Sequence, residues 1–152
     1  MKSLIIAVIL ALQVATATAE IVPPKEAQAL LKPILDLRAK AESAQGEQQQ
    51  SAFEQSEKLI GSLFHKKSRA ANEALVVLMN FYVGESLQPD LVHQVTVRGK
   101  QMLPLLLKYR KASVAFSGFK YPPSLLVADD VRKKSFDDAI EAVRTGKVIG
   151  EG

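Results

Sequence analysis

Two histidines, His65 and His93, are the residues of this sequence best suited to acid–base or metal chemistry. Imidazole titrates near neutral pH and is a common metal ligand, so a metal site or a histidine base would have to use one of them. Asp90, three residues before His93, is better explained as a helix cap, and no HExxH pattern is present. We therefore predict structural or solvent-facing roles for both histidines, with no metal and no cofactor.

Two pairs of adjacent carboxylates, Asp129-Asp130 and Asp137-Asp138, are the other candidates for acid–base work. Paired acids divide these roles only when they face each other, and neighbouring residues on a helix point about 100° apart. Both pairs stand where a helix is expected to begin, the second just after a cap candidate at Ser135. Capping and interaction with the helix dipole explain them better than catalysis does.

The absence of cysteine removes thiol catalysis, cysteine-ligated zinc, iron–sulfur clusters and thiolate haem attachment. No GxSxG nucleophile motif and no phosphate-binding glycine loop occurs either. Much of enzyme chemistry is therefore without a sequence signature here.

Three basic clusters are candidates for recognition: residues 65–69, Arg98 and Lys100 with 108–111, and 132–134. If packing brings two of them together, they would form a face for anionic partners such as envelope polyanions or acidic protein surfaces. Solvated helix ends are the alternative. A loop of aromatic residues before Pro122-Pro123 is a second candidate surface, because large aromatics are enriched in interface cores; its alternative role is to seal the bundle. The candidate binding residues are Arg98, Lys100, Lys108, Arg110, Lys111, Phe116, Phe119 and Tyr121.

Residues 1–19 read as a cleaved signal peptide. Lys2 precedes an apolar run from Leu4 to Leu12, and Ala17-Thr18-Ala19 has the small-x-small pattern of a cleavage site. The run is far shorter than the roughly 20 apolar residues that span a bilayer. We expect an exported protein, periplasmic or extracellular, with no transmembrane segment after processing.

Removing 19 of the 152 residues leaves 133, enough for one domain and too few for two ordinary ones. The net charge of +4 falls to +3 without Lys2, with both signs interspersed along the chain. A nucleic-acid-binding domain would show a strong basic stripe with interleaved aromatics. A nucleic-acid partner is therefore not expected.

The mature chain reads as a series of amphipathic helices. We expect helix from Lys25 to Ala44 broken near Lys32 by Pro33, a second helix ending at 65–67, and a third, apolar and central, from a Ser68 cap to Val83. Asp90 is the expected cap of a helical region over 91–111, which Gly99 and Pro104 bend or divide. The last helix lies within 125–145 and precedes a flexible tail at 147–152.

These elements predict an all-α fold, a compact antiparallel domain of five to seven helices over residues 20–152. Residues 30–41 align weakly with 101–112 through Pro33 and Pro104, which suggests a short HEAT-like helix-pair arrangement as the alternative.

The function expected from these features is that of an exported, non-enzymatic helical binding or scaffold protein with a protein partner. A periplasmic inhibitor or immunity-type protein is one alternative. The other is a hydrolase or lyase that uses His65 or His93 with a distant carboxylate.

Overall fold

The computed structural model describes residues 20–111, 113–114 and 125–150, and within these ranges the predicted all-α fold is confirmed. A short 3-10 helix, Gly99–Met102, joins the fourth helix to the fifth. The α-helices of the described residues are α1 Lys25–Ser43, α2 Gly46–Phe64, α3 Arg69–Leu78, α4 Leu87–Val97, α5 Leu103–Arg110 and α6 Asp129–Thr145.

Helix α3 is the centre of the domain, as its nearly continuous apolar sequence predicted. It contacts α1, α2, α4 and α5, while α6 packs on α4 and α5. Its residues from Glu73 to Leu78 are all buried. In a solenoid each helix pair contacts only its neighbours, so helices gathered round one central helix favour the compact domain over a stack of repeats.

Helix α1 runs through Pro33 without the predicted break near Lys32. Proline removes the backbone hydrogen bond to the carbonyl of Ala29, yet both residues are exposed, so water can solvate that carbonyl. The buried stripe continues across the proline from Leu31 to Ile34 and Leu35. Burial of this apolar face outweighs the free-energy cost of a proline inside the helix. Pro104, by contrast, lies in the first turn of α5, so the two aligned prolines are not structurally equivalent.

The predicted start of α3 is confirmed and its predicted end at Val83 is wrong. Ser68 Oγ accepts a hydrogen bond of 3.1 Å from the Ala71 amide, but the helix ends at Leu78. The chain then pairs with the segment before α6. The Tyr82 amide donates to the Leu125 carbonyl at 2.7 Å, and the Val127 amide donates to the Asn80 carbonyl at 3.1 Å. These bonds to a distant segment replace the last helical turn.

Gly99 divides the next helical region as predicted, with φ +80° in the left-handed range that glycine adopts readily. Two of the predicted caps are wrong. Helix α4 begins at Leu87, which places Asp90 in its first turn, and Ser135 lies inside α6. Asp129 and Asp130 occupy the first turn of α6, where carboxylates favour the helix dipole.

Residues 147–150, the described part of the predicted flexible tail, return to α4. His93 Nδ1 lies 3.1 Å from the Ile149 carbonyl oxygen, and the Ile149 amide donates to Thr96 Oγ1 at 3.0 Å. The tail therefore lies alongside the helix that carries His93.

A pair of two-residue strands, β1 Glu20–Ile21 and β2 Ser113–Val114, runs in parallel beside the helices. The predicted signal peptide, residues 1–19, lies outside the described residues, as do Phe116, Phe119 and Tyr121. None of the helices described combines the length and apolar character needed to cross a membrane.

Candidate functional site

A groove of about 780 Å³ opens between the α2–α3 corner and the α4–α5 segment. We call it the cationic groove. Its lining combines three cationic side chains, three amides, a hydroxyl and an apolar strip. The lining residues are Lys67, Arg69 and Arg98; Asn72, Gln94 and Gln101; Ser68; and Phe64, Val97, Pro104 and Leu105. No carboxylate belongs to this set, so a bound anion would meet attraction without a like charge at the wall.

Arg98 is the anchored cation of the groove. Its Nη1 donates to the Lys66 carbonyl at 2.7 Å and to Asn72 Oδ1 at 2.8 Å, and its Nη2 donates to the Phe64 carbonyl at 3.0 Å. The guanidinium thereby satisfies the carbonyl of Phe64, the last residue of α2, which has no partner within the helix, and the carbonyl of Lys66 in the turn that follows. Partial burial holds the pKa of Arg98 below its ordinary value, although an arginine remains charged at any physiological pH.

The amides behind Arg98 form a closed chain of hydrogen bonds. Asn72 Nδ2 donates to Gln101 Oε1 at 3.3 Å, and Gln101 Nε2 donates to the Arg98 carbonyl at 2.9 Å. Each member restricts the rotation of the next, so the guanidinium is held in one orientation. Such a preorganised donor loses little side-chain entropy when a ligand binds.

Lys67 and Arg69 stand on either side of the Ser68 cap, and both are exposed. The structure thus brings members of two of the three predicted basic clusters to one concavity: Lys67 and Arg69 of residues 65–69, and Arg98 alone of the second cluster. Only tertiary packing makes this pairing, since the clusters belong to different helices.

The other predicted binding cations have different surroundings. Lys108 Nζ is 3.0 Å from Glu73 Oε1, and Arg110 pairs through two nitrogens with Asp137 on α6 at 2.5 and 3.2 Å. Their charges are therefore compensated inside the domain. Lys100 and Lys111 are exposed, and neither forms an ion pair within the described part of the chain.

The third basic cluster, 132–134, is divided between the interior and the surface. Arg132 is buried and donates to Asn80 Oδ1 at 3.3 Å and to the carbonyls of Tyr109 and Arg110 at 3.1 and 3.2 Å. Lys133 and Lys134 are exposed and form ion pairs along their own helix. This cluster does not form one recognition surface.

Three of the four paired carboxylates of α6 are bound to cations. Hydrogen bonds from Arg132 and Lys133 lower the pKa of Asp129, and those from Arg110 lower the pKa of Asp137. Asp138 pairs with Lys134 at 3.0 Å. Asp129, Asp137 and Asp138 therefore serve as ion-pair partners.

The two histidines differ in their surroundings. His65 is exposed at the end of α2, while His93 is half-buried against the tail. In residues 20–111 and 125–150 neither imidazole pairs with a carboxylate, and no group of three or more potential ligands is positioned to hold a metal ion.

A second concavity, of about 510 Å³, lies between α4 and α6, and the sequence patterns did not indicate it. Its walls include Tyr82, Val92, Val131 and Ile149, with Lys134 and Asp138 at one edge. Val131 is 57% exposed. The exposure of Val131 results from the packing of α6, so no sequence pattern could have indicated this concavity.

Comparison with known protein families, with curated proteins and with solved structures finds no match to this chain.

Proposed function

We propose that this chain is an exported, non-enzymatic helical binding protein that acts through a protein-interaction surface, and that the cationic groove is this surface. The observation that carries the proposal is the meeting of Lys67, Arg69 and Arg98 in one concavity, with no carboxylate among the described residues that line it. Complementary charge steers partners and fixes their orientation. An anionic partner is therefore the chemistry that the groove suits.

The non-enzymatic part of the proposal is supported by what surrounds the titratable groups. A general base needs a group that orients it, and a nucleophile needs a base within hydrogen-bond reach. Among the described residues, the one hydrogen bond of either imidazole is that between His93 Nδ1 and the Ile149 carbonyl, so neither ring is bonded to a hydroxyl nucleophile or to a carboxylate. Asp129, Asp137 and Asp138 of α6 are held by cations. Export is supported by the sequence pattern of residues 1–19.

Affinity capture tests this proposal. The full chain, carrying an affinity tag, is recovered from its native cells and culture fluid, and co-purifying proteins are identified by mass spectrometry. We expect a saturable protein partner that is lost from the double variant Lys67→Glu/Arg69→Glu. Reversing two exposed charges at the groove reverses the local attraction without removing the structural hydrogen bonds of Arg98.

The matched control is Lys40→Glu/Lys58→Glu, which makes the same change in net charge at exposed lysines outside the groove. It should retain the partner. Equal loss from both variants would show that net charge, not the groove, governs capture, and would overturn the proposal. If the captured partner is an enzyme, its turnover with and without the purified chain distinguishes an inhibitor from a scaffold.

A further inference from the structure

The hydrogen bonds of Arg98 leave part of its guanidinium available to a ligand. The group has five N–H donors. Two on Nη1 and one on Nη2 are used by the Lys66 and Phe64 carbonyls and by Asn72. Within the described structure, the Nε–H and the second Nη2–H have no acceptor. An anchored arginine with two unused donors is suited to bind a carboxylate.

An apolar strip lies beside this cation. Val97, the residue immediately before Arg98, is 49% exposed, and it shares the groove wall with Phe64, Pro104 and Leu105. Exposed apolar area next to a partly buried cation favours a ligand that carries both an apolar and an anionic group. An inorganic polyanion would leave the strip in water, whereas a peptide would cover it.

The size and remaining lining of the groove agree with a peptide. A volume of about 780 Å³ falls within the range of clefts that hold drug-sized ligands, which is the scale of a few residues. The side-chain amide of Gln94, on the α4 wall, has no hydrogen-bond partner among the described residues and offers both a donor and an acceptor. Peptide backbone needs both.

We infer that the cationic groove binds an acidic peptide segment of a protein partner, with a carboxylate on Arg98 and an adjacent apolar side chain against Val97. This inference rests on the proposed function and deepens it by naming the chemistry of the partner. Lys67 and Arg69 would attract further carboxylates of the same segment, while Gln94 would bond its backbone.

Fluorescence anisotropy with three labelled peptides of equal length tests the inference on the purified protein. One alternates leucine with aspartate, one replaces leucine by serine, and one replaces aspartate by asparagine. At about 0.15 M salt, where long-range attraction is largely screened, we expect the leucine–aspartate peptide to bind about tenfold more tightly than either control. A tenfold change corresponds to about 1.4 kcal/mol. Equal binding of all three would overturn the inference.

Variants test the apolar contact and the charged contact separately. Val97→Ser should weaken the leucine–aspartate peptide about fivefold and leave the serine–aspartate peptide unchanged. Arg98→Gln should weaken both aspartate peptides. Because Arg98 also caps α2, Lys67→Gln/Arg69→Gln provides the second charge variant, and circular dichroism verifies the fold of each. If Val97→Ser has no effect on the leucine peptide, the assigned contact is wrong.

Inorganic polyphosphate is the competitor that tests the other anionic class. Displacement of the leucine–aspartate peptide only at concentrations far above those of unlabelled peptide supports a peptide site. If polyphosphate binds more tightly than every peptide, the inference fails in favour of a polyanion. Groove-dependent capture of a protein partner would still stand in that case, so the proposed function and the inference can fail separately.

Discussion

The Tyr109 hydroxyl donates a hydrogen bond of 2.6 Å to Glu73 Oε1, and both side chains are buried where α5 meets the central helix. Lys108 Nζ reaches the same oxygen at 3.0 Å. A carboxylate removed from water is destabilising unless donors replace its hydration. Glu73 therefore links α3 to α5 only while these donors are in place.

Tyr109→Phe should lower the free energy of unfolding by about 1–3 kcal/mol, because the buried carboxylate loses its shortest hydrogen bond while the ring packing remains. Urea unfolding at neutral pH measures the loss. Tyr82→Phe is the control, since that ring is 43% exposed, and it should change stability by less than about 0.5 kcal/mol. Equal effects of the two variants would contradict a stabilising role for this bond.

The same tyrosine predicts a loss of stability at high pH. Burial, reinforced by the bond to Glu73, raises the pKa of Tyr109 well above its ordinary value of about 10. The folded state thus keeps a proton that the unfolded state releases. The stability is complete below about pH 10 and is lost as the pH rises towards the folded-state pKa, with a slope of up to about 1.4 kcal/mol per pH unit.

Urea unfolding of wild type and Tyr109→Phe between about pH 9 and pH 11 measures this slope as a difference, which cancels the lysines that titrate in the same range. Wild type should lose stability more steeply than the variant above about pH 10. Parallel curves would mean that the tyrosine titrates alike in both states.

A buried arginine, Arg132, donates to the carbonyls at the C-terminal end of α5, the end that also carries Tyr109. Arg132→Met should lower the free energy of unfolding by about 2–4 kcal/mol, because it leaves the Tyr109 and Arg110 carbonyls and Asn80 Oδ1 without their donor. Lys133→Met, which breaks only an exposed ion pair with Asp129, should cost less than about 1 kcal/mol. Thermal unfolding of the two variants measures the difference, and a milder effect at Arg132 would show that water replaces its hydrogen bonds.

Local signals in the sequence were sufficient for much of the fold. The Ser68 cap, the Gly99 break and the apolar pattern of α3 depend on residues a few positions apart, and the structure has all three. The end of α3 could not be predicted in this way. Its last turn is replaced by bonds between 80–82 and 125–127, and no pattern within either segment specifies the other.

The candidate site likewise has features that the sequence predicted and features that depend on packing. The basic clusters were visible as composition, and Arg98 was among the predicted binding residues. The sequence did not show which of these cations form ion pairs, because the carboxylates that pair with Lys108 and Arg110 lie on other helices. In the sequence, Arg132 looks like a member of a solvated basic cluster. In the structure it is buried, because its hydrogen-bond acceptors lie outside its own helix. A groove lined from four helices exists only after packing.

The cap at Ser68 gives a local test with a matched control. Ser68→Ala should cost about 1 kcal/mol of stability, since it removes the hydrogen bond from Ser68 Oγ to the Ala71 amide. Ser86 occupies the equivalent position before α4, yet its side chain makes no capping bond. Ser86→Ala should therefore be nearly neutral in the same urea titration. Equal losses at both positions would indicate that side-chain capping contributes nothing at Ser68.

Replacing Pro33 should raise the stability of the protein, in contrast to the substitutions above. Proline in a helix interior is about 3 kcal/mol less favourable than alanine, although it also restricts the unfolded chain by up to about 1 kcal/mol. Because Pro33 is exposed inside the continuous helix α1, Pro33→Ala restores the backbone bond without disturbing the core, and we expect a gain of about 1–2 kcal/mol. Pro104→Ala, in the first turn of α5 where proline is tolerated, should give no such gain. A higher urea midpoint for Pro33→Ala alone would confirm that core packing keeps α1 helical despite an unfavourable residue. A lower midpoint would mean that the proline stabilises the native helix.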